Sequence, residues 1–172
     1  MRGTLRRSAL VRIAVIHPVP VHNGGMTVFE MIIAGDIPGR FVYADEKCVV
    51  FATIEPVRPG HVLVVPREAV PAWTDLPEDD AAHLFKVAQK IGKAQLKTFE
   101  CERIGLTIAG FEVPHTHLHV IPLRSEADLA LSNASKVPDE VLESTMQALR
   151  TELENQGLGD NVPVSIDSPD LN

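Results

Sequence analysis

Two apolar, β-rich runs, Arg103–Ala109 and His115–Leu123, are joined by a short connection around Gly110. The connection is too brief for a crossover, so the two runs must pair as antiparallel neighbours. Upstream, Phe41–Tyr43 and Cys48–Ala52 flank Asp45-Glu46 and read as a hairpin. The loop Ile54–Gly60, punctuated by proline and glycine, leads into His61–Pro66, a continuous apolar run of the kind that is covered on both faces. A helix is expected after Asp75, with that residue as N-cap, Pro77 in the first turn and acids at the positive end of the dipole. Its apolar spacing takes in Leu84, Phe85, Ala88, Ile91, Gln95 and Leu96. A last helix spans about residues 138–155, with Val141, Leu142, Thr145, Leu149 and Leu153 on one face, and the tail beyond it reads as polar and mobile. These elements make an α+β class with a mostly antiparallel five-stranded sheet, a long helix packed on it and a C-terminal helix.

The second of the paired runs carries His115, His117 and His119 at alternate positions, three of the seven histidines in the chain. On a strand such positions share a face, with Thr116, Leu118 and Val120 turned the other way. At a strand rise of roughly 3.3 Å per residue the outer pair lie about 13 Å apart, the length of a di- or triphosphate. A single metal ion needs its ligands about 2 Å away. A metal held by two of the three would need further ligands, for which His61 and Glu112 are the candidates, and no known ligand spacing is present. A phosphate reading has a clear chemical basis. An ordinary imidazole is largely neutral at pH 7 and can attack phosphorus unaided, and the resulting P–N bond is open to hydrolysis. Neighbouring imidazoles cannot all be protonated, so a neutral central nucleophile, His117, between donor rings is the natural arrangement.

Charge limits the partners. Residues 1–25 carry four arginines and no acid, so the net −7 of the chain places −11 on the remainder, where twelve basic residues face 23 acidic ones. Such a body suits a small phosphate ester and not a long nucleic acid. No apolar run reaches membrane-spanning length. Cys48 and Cys101 form no disulfide or thiolate-metal pattern, which fits a reducing, cytoplasmic setting. The expected organisation is an unstructured extension over 1–25, upstream of a start at Met26, then a domain over 26–134, and a C-terminal helix with its tail over 135–172. An organellar presequence would share the composition of residues 1–25.

His115-Thr-His-Leu-His119-Val-Ile resembles the histidine-triad (HIT) signature. The likeness extends through Phe29–Pro38, Asp45-Glu46 and Phe51-x-x-Ile54-x-Pro56-x-x-Pro59-Gly60-His61-x-Leu63-Val64-x-Pro66. The segment Ser125–Ala134 is similar to actinobacterial Hint-like members. The resemblance implies the HIT-like fold and, as a rule, a homodimer without cofactor or catalytic metal. It implies a hydrolase or transferase that acts at the α-phosphorus of a nucleoside phosphoramidate or dinucleoside polyphosphate; the departures at Thr53 and Glu112 point to the alternative, a nucleotide-binding or interaction protein with vestigial catalysis. Carried over, His117 becomes nucleotidylated, His115 and His119 bind and polarise the phosphate, and His61 joins their network. A purine nucleoside would lie among Phe29, Ile32, Phe51, Thr53 and Ile54. Glu112 replaces a phosphate-binding hydroxyl, and Thr53 stands where many members place a ribose-binding acid.

Overall fold

The computed structural model describes residues 25–172. Five strands, β1 (Phe41–Ala44), β2 (Cys48–Ala52), β3 (Val62–Pro66), β4 (Arg103–Thr107) and β5 (Leu118–Leu123), form one sheet in the order β1-β2-β3-β5-β4. Every neighbouring pair is antiparallel, including β4 with β5, as the short connection requires. The long helix α2 (Glu78–Thr98) and the C-terminal helix α3 (Asp139–Leu153) cover one face, while the short helix α1 (Val28–Ala34) covers the other. The expected α+β class and five-stranded sheet are what is observed.

Strand alternation sorts the core into two layers. Val42, Val50, Val62, Val64, Leu118 and Val120 meet Leu84, Val87, Ile91 and Ala94 of α2 and Met146, Leu149 and Leu153 of α3. On the opposite face Val49, Phe51, Leu63 and Val65 meet Phe29 of α1. The buried Gln95 amide clips α2 to the sheet by donating to the carbonyls of Gly60 and Val120. Gly60 has φ +88°, and a Cβ there would run into the Phe99 ring, so only glycine fits.

The chain departs from its sequence pattern in four places. Pro77, not Asp75, is the N-cap of α2, because Asp75 closes a separate 3₁₀ turn, Trp73–Asp75. Phe85 and Leu96, spaced as though for the core, are exposed. The last strand starts at Leu118 and not His115, because Thr116 gives both its N–H and its hydroxyl to Val70 O and leaves the ladder. The tail is not loose. Phe41 N–H donates to Ile166 O, the buried Arg150 binds the carbonyls of Phe41, Pro163 and Ser165, and the Asn161 amide donates to Ala44 O. These bonds occupy the outer side of β1, an edge strand whose polar groups would otherwise be unpaired.

Candidate active site

On the α1 face, where β3 and β5 pair Leu63 with His119, an open cleft of about 300 Å³ holds His61, His117 and His119. Its rim is made by Thr53 and Glu55 after β2, by Ala109 to Glu112 after β4, and by Leu131 and Ala134 beyond β5. Sequence reasoning named Thr53 and Glu112 among these. It missed Glu55, Phe111, Leu131 and Ala134, whose only signal is position in a loop next to a histidine-bearing segment.

The hydrogen-bond partners fix where each proton sits. A carbonyl only accepts, so His117 Nδ1, 2.8 Å from His115 O, carries the hydrogen, and Nε2 keeps the lone pair. Val57 N–H donates to His61 Nδ1 at 3.2 Å, which places the His61 proton on Nε2. That proton is given to His119 Nδ1 at 3.0 Å, so His119 carries its own proton on Nε2. The result is a lone pair on one ring of the cleft and an N–H donor on the next, with ring centroids 4.9 Å apart.

All four histidines are held neutral. Burial pushes His61 down to about 3, helped by the His119 ring beside it. Burial and then His117 push His119 down to about 4. His117 is lowered by burial, opposed by the His115 carbonyl and by Glu112. His115 is lowered by burial, opposed by Pro66 O and Glu30.

His115 stands apart from the other three. It is 0% exposed, with Nε2 2.7 Å from Pro66 O and Nδ1 3.0 Å from the Thr27 hydroxyl. Both ring nitrogens are therefore engaged inside the protein, and the ring does not line the cleft. The expected nucleoside residues are also divided. Phe29 and Phe51 are buried against each other, and Phe29 stands edge-on to His115 and His117 at 5.7 and 4.9 Å. Ile32 packs on the same cluster, whereas Ile54 is 67% exposed. Of that set only Thr53 lines the cleft, and its hydroxyl accepts from Glu55 N–H.

Among the described residues, one further group, Asp45, Cys48 and His83, brings three kinds of donor atom within 4.8 Å of one another. Its carboxylate is already occupied. Oδ1 accepts from the N–H groups of Lys47 and Cys48, and Oδ2 accepts from the Tyr43 hydroxyl and from His83. Burial pushes the Cys48 thiol up, which keeps it protonated. The group ties the β1–β2 hairpin to α2, with Cys48 in the core layer beneath that helix.

A family profile for the HIT domain matches residues 34–126. An uncharacterized HIT-like protein of Methanocaldococcus jannaschii is 30% identical over 129 residues, covering 73% of this chain and 99% of that one. An asymmetrical bis(5'-nucleosyl)-tetraphosphatase of Schizosaccharomyces pombe is 35% identical over 58% of this chain, which spans 60% of its length. Among solved structures, a zinc-bound histidine triad family protein from Mycobacterium smegmatis superimposes with a TM-score of 0.66. It is 31% identical over 76% of this chain and 94% of its own.

Proposed function

The chain belongs to the HIT domain family, and from that premise we propose that it cleaves nucleoside phosphate derivatives at the α-phosphorus through a nucleotidyl-His117 intermediate. The observation that carries this reading is the tautomer of His117. Its Nδ1–H is tied to a backbone carbonyl, so its Nε2 lone pair is free in a cleft. Nε2 attacks phosphorus, the bond from phosphorus to the leaving group breaks, and the leaving group takes a proton from solvent that the later hydrolysis returns. Water then cleaves the P–N bond to release a nucleoside monophosphate and the neutral ring. While nucleotidylated, the ring is cationic. The His115 carbonyl at Nδ1–H and the carboxylate of Glu112 oppose that charge. The Nε2–H of His119 serves as donor to a phosphate oxygen, and His61 sets the tautomer of His119. A purine nucleotide as phosphoramidate or dinucleoside polyphosphate is the substrate class, with Thr53 at its sugar. His115 holds the assembly together and does not touch the phosphate.

A homodimer is part of the same reading. β4 is an unpaired edge among the described strands, and beside it the exposed Phe85, Leu96 and Leu106 line an apolar hollow of about 260 Å³. No described helix is long and apolar enough to cross a membrane, and the cytoplasm is the proposed location.

The test is mass spectrometry of acid-quenched reactions with adenosine phosphoramidate and diadenosine polyphosphates. A nucleotidyl adduct on His117 is expected, together with release of AMP without added metal and loss of turnover in His117→Ala. AMP binding without turnover or adduct on any of these substrates would select a nucleotide-binding protein instead.

A further inference from the structure

The nucleophile sits outside the sheet. β5 starts at Leu118, so no ladder bond holds His115 O, the atom on which the tautomer of His117 depends. Bonds made by His115 and Thr116 outside the ladder fix that carbonyl instead. Thr116 is tied to Val70 O through both its N–H and its hydroxyl. The His115 ring is clamped between Pro66 O at 2.7 Å and the Thr27 hydroxyl at 3.0 Å. Because Pro66 O can only accept, His115 Nε2 is the donor there and its neutral Nδ1 accepts from Thr27. The Thr27 oxygen in turn accepts from Glu30 N–H, and the Glu30 carboxylate accepts from Thr27 N–H, so the same threonine caps α1.

We propose that Thr27 is a positioning residue for the transfer reaction, holding His115 so that the His115 carbonyl keeps the proton of His117 on Nδ1. The inference rests on the reading of His117 as nucleophile. It adds a residue that no triad pattern contains, since Thr27 lies 88 positions upstream of His115. The link is specific to a hydroxyl. A lone helix cap needs only an acceptor, whereas His115 Nδ1 needs a donor at the same atom. Without that donor the His115 ring is satisfied at one end alone, and the His115 carbonyl is held only through the bonds of Thr116 to Val70 O. His117 can then carry its hydrogen on Nε2, where it blocks attack on phosphorus.

Four variants and two readouts test this. In Thr27→Val, nitrogen NMR of labelled imidazoles should find the His117 proton moved from Nδ1 toward Nε2. The kcat should fall by about tenfold to a hundredfold with KM held within about twofold, the scale of a small misplacement of a reacting group. Thr27→Ser should restore both. Glu30→Gln keeps an acceptor for the Thr27 N–H and should change neither. Thr27→Ala, which opens space and creates no clash, gives the same reading if the valine variant does not fold. A Thr27→Val protein that keeps the Nδ1–H tautomer overturns the proposal, whatever its turnover. A shifted tautomer with unchanged turnover leaves the Thr27 link standing and overturns His117 as the nucleophile.

Discussion

Four neutral imidazoles, three of them buried and His119 partly so, make the protein acid-sensitive in a calculable way. His61 and His119 are held down to about 3 and about 4 in the folded state, while in the unfolded chain each titrates near 6.5. Their folded values are depressed, so between those limits the unfolded state binds more protons. The stability they contribute is full above about pH 6.5 and is lost as the pH falls. At 1.36 kcal/mol per unit, moving from pH 7 to pH 5 costs about 2 kcal/mol for each ring, or about 4 kcal/mol for the pair. His115 and His117 are shifted in the same direction and add to the loss. The groups facing the pair that could oppose it are the cleft carboxylates Glu55 and Glu112. Urea denaturation at half-unit steps from pH 7.5 to 5 measures the effect, since the slope of stability against pH counts the protons taken up on unfolding. Wild type should show a slope of two protons or more in the lower half of this range. His119→Asn keeps an acceptor for His61 and should lose about one proton of slope, roughly 1.4 kcal/mol per pH unit. A wild-type stability at pH 5 within about 1 kcal/mol of that at pH 7 would refute the account of these rings as buried and neutral.

Two further outcomes follow from the packing. Gly60→Ala forces a left-handed backbone onto an L-residue and drives a methyl into Phe99. It should cost about 2–4 kcal/mol by urea denaturation, and a neutral result would show that the Gly60 turn is free to relax. Phe85→Glu places a charge in the apolar hollow beside β4. Sedimentation equilibrium should show the dimer weakened by tenfold or more, and a wild type that is monomeric at tens of micromolar would remove the proposed interface.

The sequence made the scaffold readable where local chemistry decides it. The connection through Gly110, ten residues between Thr107 and Leu118, is too brief for a crossover and sets β4 against β5, and the β-branched runs marked every strand. Alternation put His117 and His119 on one face, and the family resemblance added His61, which lines the same cleft. The sequence was silent where a side chain reaches across the fold. Thr116 leaves the strand for Val70 O, a partner 46 residues away, so the start of β5 shifts past two of the three histidines. Alternation along a strand suggested one face for all three rings, but the bonds to Thr27 and Pro66 turn His115 away from the cleft. Arg150 on α3 carries no signal of its role in the sequence pattern; the carbonyls it binds lie 109 residues away in β1 and 13 residues away in the tail. Phe29 and Phe51 illustrate the reverse difficulty, since an aromatic that could stack on a base is indistinguishable in sequence from one that packs on its neighbour.

The C-terminal tail has a consequence for how copies of the chain meet. A sheet with two open edges can add partners at both ends and grow without limit. Here the outer side of β1 is occupied by the chain's own Ile166, Asn161 and Arg150, which leaves β4 as the single bare edge of the described sheet. Pairing through one edge is self-complementary and closes after two copies. The segment from Asn161 onward, held by Arg150, thus acts as a terminator: any edge-to-edge association stops at a pair, and removal of that segment would expose the second edge on which a fibre could start.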